Sequence, residues 1–429
     1  METIAASVWQ KSKLLIKCLL IGGLVLLLLI PAYFVQELIK EREERQKEAF
    51  SEVSSKWAGR QNITGPVLVI PYNEAGPTIN YQITTVKKYA YVLPDKLSIQ
   101  SIVKPEKRYR GIYEVMLYSS DIKISGKFNE IPWQQLKIDP AAILWSEAHV
   151  CIGLSDAKGL KEEIKLTWND STVTLNPTSV DNAVMKDAFT SVVKVEPGKE
   201  INFSSSISFN GSEQLLFTPV GRETTVTLSS SWRDPSFTGG QLPDHRISDT
   251  GFVATWKSLS HTRNFPQAWK ESAYNLESSS FGADLFIPVN GYQKTMRSVK
   301  YAILCILLTF AAFFIIETVN KKSVHPFQYA LIGAALILFY TLLLSISEYT
   351  GFNIAYVIAS IATVGLIAWF VKGVLQSSKL TSILSVVLVL MYSYLFTILQ
   401  LQDYSLILGS IGLFLTLAVI MHFSKKIQW

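Results

Sequence analysis

Residues 14–35 read LLIKCLLIGGLVLLLLIPAYFV, an apolar run whose one charged residue is Lys17. A hydrocarbon core about 30 Å thick needs roughly 20 apolar helical residues to cross it. Outward from this run, five more follow one another near the other end of the chain, at about 299–319, 327–347, 352–371, 380–400 and 404–423. Between the first run and those five lie about 260 residues with no run of that length. The layout predicts an integral membrane protein of mixed class, with six transmembrane α-helices arranged one plus five. A large β-rich, sandwich-like extramembrane domain is inserted between helices 1 and 2. The expected boundaries are a cytoplasmic N-terminus at 1–13, helix 1 at 14–38, a helical stalk at 39–56, the β-rich domain at 57–298 and the five-helix domain at 299–429.

Charge sets the expected orientation, because Lys and Arg beside short loops tend to stay cytoplasmic. Lys11, Lys13 and Lys17 precede or enter helix 1, Lys321 and Lys322 lie between helices 2 and 3, Lys372 and Lys379 between 4 and 5, and Lys425 and Lys426 follow helix 6. The short connections 348–351 and 400–403 carry no Lys or Arg but do carry acids. Six crossings then give cytoplasmic termini with the large domain on the far side. Lys294, Arg297 and Lys300 oppose the rule, but they end a long translocated segment, where charge weighs less. Helix 1 runs through Pro31-Ala32-Tyr33-Phe34 into charged sequence without a small-x-small cleavage site, so it reads as an uncleaved signal anchor. In the stalk, Glu41/Arg45 and Glu43/Lys47 fall at i,i+4 spacing, which supports a solvated helix.

The net charge is +6. Setting aside the nine membrane-flanking lysines and the acids outside 39–300 leaves 31 basic against 29 acidic residues. The basicity is therefore mostly topology, and nothing points to nucleic acid. Cys18 and Cys305 fall within spans, leaving Cys151 alone in the translocated domain. No disulfide can form inside that domain, so an apolar core must hold it.

Apolar residues in the domain alternate with period two, the pattern of half-buried strands. Tyr113, Val115 and Leu117 alternate with polar residues, as do Ile122 and Ile124, and Ile201, Phe203, Ile207 and Phe209. Val226 and Leu228 continue the pattern. Residues 67–70 form a short apolar run bounded by Gly65-Pro66 and Pro71. Asn210-Gly211 reads as a hairpin turn, and Pro197-Gly198, Gly239-Gly240 and Asn290-Gly291 as further turns. Residues 140–149 and 177–187 are the two helical candidates.

Chemistry is sparse. His245 and His261 stand 16 residues apart with Asp244 and Asp249 nearby, and His149 lies upstream, but no His-x-x-x-His or Cys-x-x-Cys occurs. Loop histidines are the expectation, with no metal and no cofactor. Gly153-Leu154-Ser155 continues as Asp156-Ala157, not as the x-Gly a nucleophile elbow requires. Aromatic residues and Arg are interleaved over 222–269. Trp232, Asp234, Phe237, Trp256, Arg263 and Trp269 form a candidate binding groove there, and a closed core is the competing reading. In the membrane domain the ionisable residues Glu317, His325, Glu348 and Asp403 sit at span ends, and the middles of spans 3 to 6 hold no charge. Small residues at Ala355/Ala359/Thr363 and Ser405/Gly409 predict close helix packing. Glu317 and His325 are a candidate polar pair.

Several local stretches carry a wider resemblance. They are GPVLVIPY at 65–72, RGIYEV at 110–115, GLSD at 153–156, FTPVG at 217–221, PSFTG at 235–239 and NFPQ at 264–267. Nearer the membrane come Tyr292-Gln293, Arg297, Lys300-Tyr301-Ala302, HPFQY at 325–329, SISE at 345–348 and the terminal Trp429. With these the chain resembles the CreD family of bacterial inner-membrane proteins through nearly its whole length. Lys158 and Tyr349 depart from the family pattern, where Arg and His are expected; the second counts against Glu-His chemistry at the end of helix 3. The resemblance implies a protein of cell envelope integrity, associated with envelope-stress and β-lactam responses under two-component control, and it supplies no catalytic residues. The expected function is a non-enzymatic envelope protein whose periplasmic domain binds an envelope component (wall or lipid) or a protein partner. The alternatives are a periplasmic wall- or lipid-acting enzyme and a lipid or solute transporter.

Overall fold

The computed structural model describes residues 2–79, 82–129, 131, 133–178, 185, 188–270, 274–285, 290–320, 322–401, 407–412, 414, 418 and 421. The chain divides into two compact units, Met1–Glu48 with Pro288–Trp429, and Ala49–Ile287.

The first unit is helical. Five helices among the described residues are long and apolar enough to cross a membrane. They are α1 (Glu2–Trp57), α4 (Ala302–Val319), α5 (Pro326–Thr350), α6 (Phe352–Leu375) and α7 (Ser378–Gln400). Of the sixth expected run, residues 407–412 are helical, and most of the rest lies outside the described residues. The membrane stretch of α1 is apolar all round, so burial shows which face meets protein. Val25, Leu28, Ala32, Val35 and Ile39 are buried in a single stripe of three- and four-residue steps. Leu19, Leu26, Leu27, Ile30 and Phe34 stay exposed, as lipid-facing residues do. At Gly333 of α5 an added Cβ would collide with Leu28 of α1 and lie 3.0 Å from Phe310 of α4, so glycine lets three helices meet closely.

Helix α6 buries Ala355, Ala359 and Thr363 in one line, as their spacing predicts. The companion pair does not behave this way: a Cβ on Gly409 would meet nothing within 4 Å, and Ser405 lies outside the described residues. Gly412 is the position pressed closely, against the Tyr394 ring. Asn290-Gly291 is not a turn but the start of α3 (Asn290–Lys300), an amphipathic helix that the sequence reading left in the β-rich domain and that belongs to the helical unit. It buries Tyr292, Thr295, Ser298 and Val299, one helical face. Tyr301 separates it from α4.

The second unit is β-rich and holds the one-turn helix α2 (Trp133–Leu136). Its strands are β1 (Gln61–Ile79), β2 (Gln82–Val92), β3 (Lys96–Arg110), β4 (Tyr113–Phe128), β5 (His149–Leu154), β6 (Ile164–Trp168), β7 (Ser171–Thr178) and β8 (Ala188–Val192). They continue as β9 (Ile201–Ser212), β10 (Gln214–Thr218), β11 (Glu223–Ser230), β12 (Ser236–Gly239), β13 (Asp244–Ser248), β14 (Gly251–Leu259), β15 (Ala268–Lys270) and β16 (Phe281–Asp284). Hydrogen bonds link them in the order β12-β16-β10-β1-β5-β8-β7-β6-β9-β4-β3-β11-β14-β13, with β2 and β15 branching from β1. β7 is the hinge of this path. Residues 171–175 pair with β6 and residues 176–178 with β8, so one strand passes between the two halves.

Alternation places the core. In β9, Ile201, Phe203, Ser205, Ile207 and Phe209 point inward and the residues between them point out. Both halves of the path contribute to one apolar cluster that includes Val67, Ile124, Phe209, Phe217, Trp256 and Phe281. Each such side chain contributes about 1.5–3 kcal/mol on full burial. That cluster takes the role a disulfide cannot fill.

Three local expectations give way. Residues 140–149 form two single 3-10 turns, Pro140–Ala142 and Trp145–Glu147, and His149 opens β5. Ile143 bridges to Tyr72, and Leu144 N donates to Pro71 O at 2.9 Å, so the sheet takes the backbone groups a helix would need. Pro177 and Thr178 end β7, while residues 179–184, 186 and 187 lie outside the described residues. Asn210-Gly211 lies inside β9, opposite Ser119 and Tyr118, and forms no hairpin. Gly211 is needed because a Cβ there would enter the Tyr118 ring. The turn comes later, at Glu213 with φ 61°.

Candidate functional site

The expected aromatic groove is closed. Trp256 is 1% exposed and stacks on Phe281 at 5.5 Å, and Phe237 meets it edge-on at 5.9 Å. Trp269 is buried elsewhere, stacked on Tyr91 at 5.4 Å. Arg263 is buried too. Its Nη1 donates to Val220 O at 2.8 Å, Nη2 donates to Gln267 Oε1, and the guanidinium lies 4.5 Å from the Phe265 ring centre. Burial pulls its pKa down to about 10. Trp232 is half-buried and Asp234 exposed. These six residues are a core cluster, a structural arginine and a surface loop. They do not line an opening.

The histidines are separate as well. His245 packs on Phe237 at 4.8 Å, His261 lies in the single 3-10 turn Ser260–Thr262, and burial holds the His149 imidazole toward its neutral form. No group of His, Cys, Asp and Glu able to hold a metal occurs among the described residues.

The stretches that carry the family resemblance turn out to build two polar knots. In the first, Asp156 Oδ2 accepts from Gly59 N at 2.9 Å, and Asp156 N donates to Gln61 Oε1 at 3.1 Å. Gln61 Nε2 donates back to Asp156 O at 2.9 Å and to Asn210 O at 3.0 Å. GLSD thus fixes where the chain enters β1. In the second, Thr218 Oγ1 lies 2.7 Å from Thr64 Oγ1 and 2.9 Å from Ser280 Oγ, and Asn62 Nδ2 donates to Ser280 Oγ at 3.2 Å. FTPVG supplies Thr218 to this knot, and its Pro219 and Val220 carbonyls receive Arg263. Gln267 of NFPQ donates to Pro94 O at 2.7 Å. Buried polar groups must be paired, and here these motifs do the pairing.

The helical unit has a polar cluster at each end of α5. Glu317 is 4% exposed: Oε1 accepts from Lys17 Nζ and, at 2.9 Å, from Val324 N, while Oε2 accepts from the Tyr329 hydroxyl at 2.8 Å. His325 is not its partner. His325 caps α5, with Nδ1 accepting from Phe327 N at 3.2 Å and its own N–H donating to Gln328 Oε1 at 3.1 Å. At the other end Glu348 Oε1 accepts from the Tyr292 hydroxyl at 3.0 Å and lies 3.8 Å from Arg42 Nε. Asp403 lies outside the described residues. Tyr329 and Glu348 are 19 residues apart on one helix, about 29 Å at 1.5 Å per residue. That is the thickness of the hydrocarbon layer. Between the clusters the space is filled by rings: Phe339 lies 4.6 Å from Tyr392 and 5.4 Å from Tyr356, and the Tyr356 hydroxyl donates to Tyr392 O at 2.8 Å.

An open hollow of about 870 Å³ does exist, on the outer face of β3, β4, β9 and β6. Gln100, Lys123, Ser125, Lys165, Thr167 and Ser206 line it. The sequence reading missed it because a row of exposed Ser, Thr and Lys looks like any solvated strand face.

Residues 13–429 match the family described as inner membrane protein CreD. The chain belongs to the CreD family. Inner membrane protein CreD of Escherichia coli is 29% identical over 427 residues, covering 98% of this chain and 94% of that protein. The CreD-family chain is accordingly a multi-pass inner-membrane protein in contact with the lipid bilayer. Among solved structures, an M1 zinc metallopeptidase mutant of Deinococcus radiodurans bound to a Tyr-Ser-Ala substrate is 10% identical over 39% of each chain, with a TM-score of 0.21. That likeness is too slight to carry an argument about fold or activity. The CreD match spans both units, so the helices and the β-rich unit form one protein architecture and not a local borrowing.

Proposed function

We propose that this chain maintains the cell envelope without catalysing a reaction, its β-rich unit facing the periplasm and contacting an envelope component or protein partner. The observation that carries the reading is the whole-chain match to CreD. The polar groups support it. The Glu317 oxygens accept from an ammonium, an amide and a phenol, and Arg263 Nη1 and Nη2 donate to carbonyls and an amide oxygen, so these contacts serve structure.

Orientation follows from the lysines and from the two clusters. Lys17 of α1 meets the connection before α5, and Arg42 of α1 meets the end of α5, so α1 and α5 cross in the same direction. Lysines 11 and 13 precede that end of α1 in the sequence, and Lys322, Lys372 and Lys379 lie in or beside the α4–α5 and α6–α7 connections, which supports a cytoplasmic placement of the Lys17 side and of both termini. The test is deletion of the gene, followed by measurement of cell morphology and β-lactam tolerance under envelope stress. Altered shape or tolerance is expected; indistinguishable cells would refute the envelope role.

A further inference from the structure

The outer face of the β-rich unit carries an ordered array of hydroxyls. Strand registers place Thr255, Thr227, Gln100, Lys123, Ser206 and Lys165 side by side across six strands. One step along the strands, Thr225, Ser98, Ser125, Ser204 and Thr167 form a parallel row. Neighbouring positions in a row are about 4.8 Å apart. Hydroxyls both donate and accept, so the two rows offer a flat bed of short groups of either polarity. Ile124 is the one apolar residue that lines the hollow, and it is buried, 1% exposed.

Its charges are left open. Lys104 and Lys127, on the same strands, are paired with Asp121 at 2.9 Å and Glu200 at 2.7 Å. Lys123 and Lys165 have no such partner among the described residues, and neither do Glu162 and Glu163, which border the same hollow. The two ammonium groups flank Ser206 in one row, their strands roughly 10 Å apart.

The geometry points to a binding site for a peptide-substituted glycan strand, the polymer of the bacterial wall. The hydroxyl rows suit a sugar backbone. Lys123 and Lys165 suit carboxylates spaced along it, and Glu162 and Glu163 suit the amines of its peptides. A continuous polyanion would be repelled by the two acids, and an apolar ligand would have to strip water from two ammonium groups and two carboxylates. The inference rests on the periplasmic placement proposed above and gives that placement a ligand.

The test is co-sedimentation of the detergent-solubilised full chain with purified peptidoglycan. Lys123→Glu with Lys165→Glu is expected to weaken binding about tenfold or more, as loss of charged hydrogen bonds does. Ser206→Trp should weaken it as well, by filling the hollow from an exposed strand position. Lys104→Ser, outside the hollow, should bind as the parent does. Unchanged melting temperatures would confirm that the variants fold. The proposal is overturned if the parent fails to sediment, if both hollow variants bind as the parent does, or if the lysine variants lose binding to phosphatidylglycerol vesicles while keeping peptidoglycan. The assay uses purified components, so its outcome is independent of the deletion phenotype.

Discussion

Lys17 and Glu317 are 300 positions apart and meet in a partly buried ion pair that Tyr329 and the Val324 amide complete. A charge in the first apolar run is legible in the sequence; its partner is not, because only packing brings α1 beside the start of α5. The same limit explains His325, which stands eight residues from Glu317 but is engaged in capping its own helix. Removing one member of a buried pair strands the other, at about 3–5 kcal/mol. Glu317→Ala should therefore lower the stability of the purified full chain by that order, measured by thermal unfolding in detergent. The double variant Lys17→Met/Glu317→Met should regain more than half of the loss, since no uncompensated charge remains. Additive losses would contradict the coupling. The aromatic positions show the opposite limit. Trp256, Arg263 and Trp269 were legible as a dense cluster, but density in sequence does not separate core from groove. Burial by β16, β2 and the Val220 carbonyl decided it.

At the level of elements, the spans and most strands were legible because each has a long, simple period. Asn210-Gly211 shows why local signals fail: two residues favour a turn, but twelve paired residues of β9 against β4 outweigh them. Gly211 is required there for a different reason, the Tyr118 ring packed on its α-carbon, with the Tyr118 hydroxyl donating to Gln214 O at 2.8 Å. Gly211→Ala should cost about 1–3 kcal/mol by overpacking. Gly240→Ala, whose Cβ would lie 4.0 Å from Ser279 O, should change stability by less than about 0.5 kcal/mol. Equal effects at the two sites would remove the close-approach argument. In the same way α3 was hidden because its amphipathic period is only eleven residues long and abuts an apolar run.

At the scale of the whole molecule, one span before the β-rich unit and four after it were legible from apolar run lengths, and the β-rich character from alternation. The hollow was not, because its lining comes from the β3–β4 hairpin and two later strands, β6 and β9, and consists of ordinary surface residues. The β-rich unit is proposed to lie outside the inner membrane, with the α6–α7 connection inside. Substituted cysteines at Ser125 and Ser377, each in a Cys18→Ser background because Cys18 is exposed, measure this directly, since the remaining Cys151 and Cys305 are buried. In intact spheroplasts a membrane-impermeant maleimide should label Ser125→Cys at once and Ser377→Cys only after lysis. Labelling of Ser377→Cys in intact spheroplasts, with Ser125→Cys protected, would contradict the account.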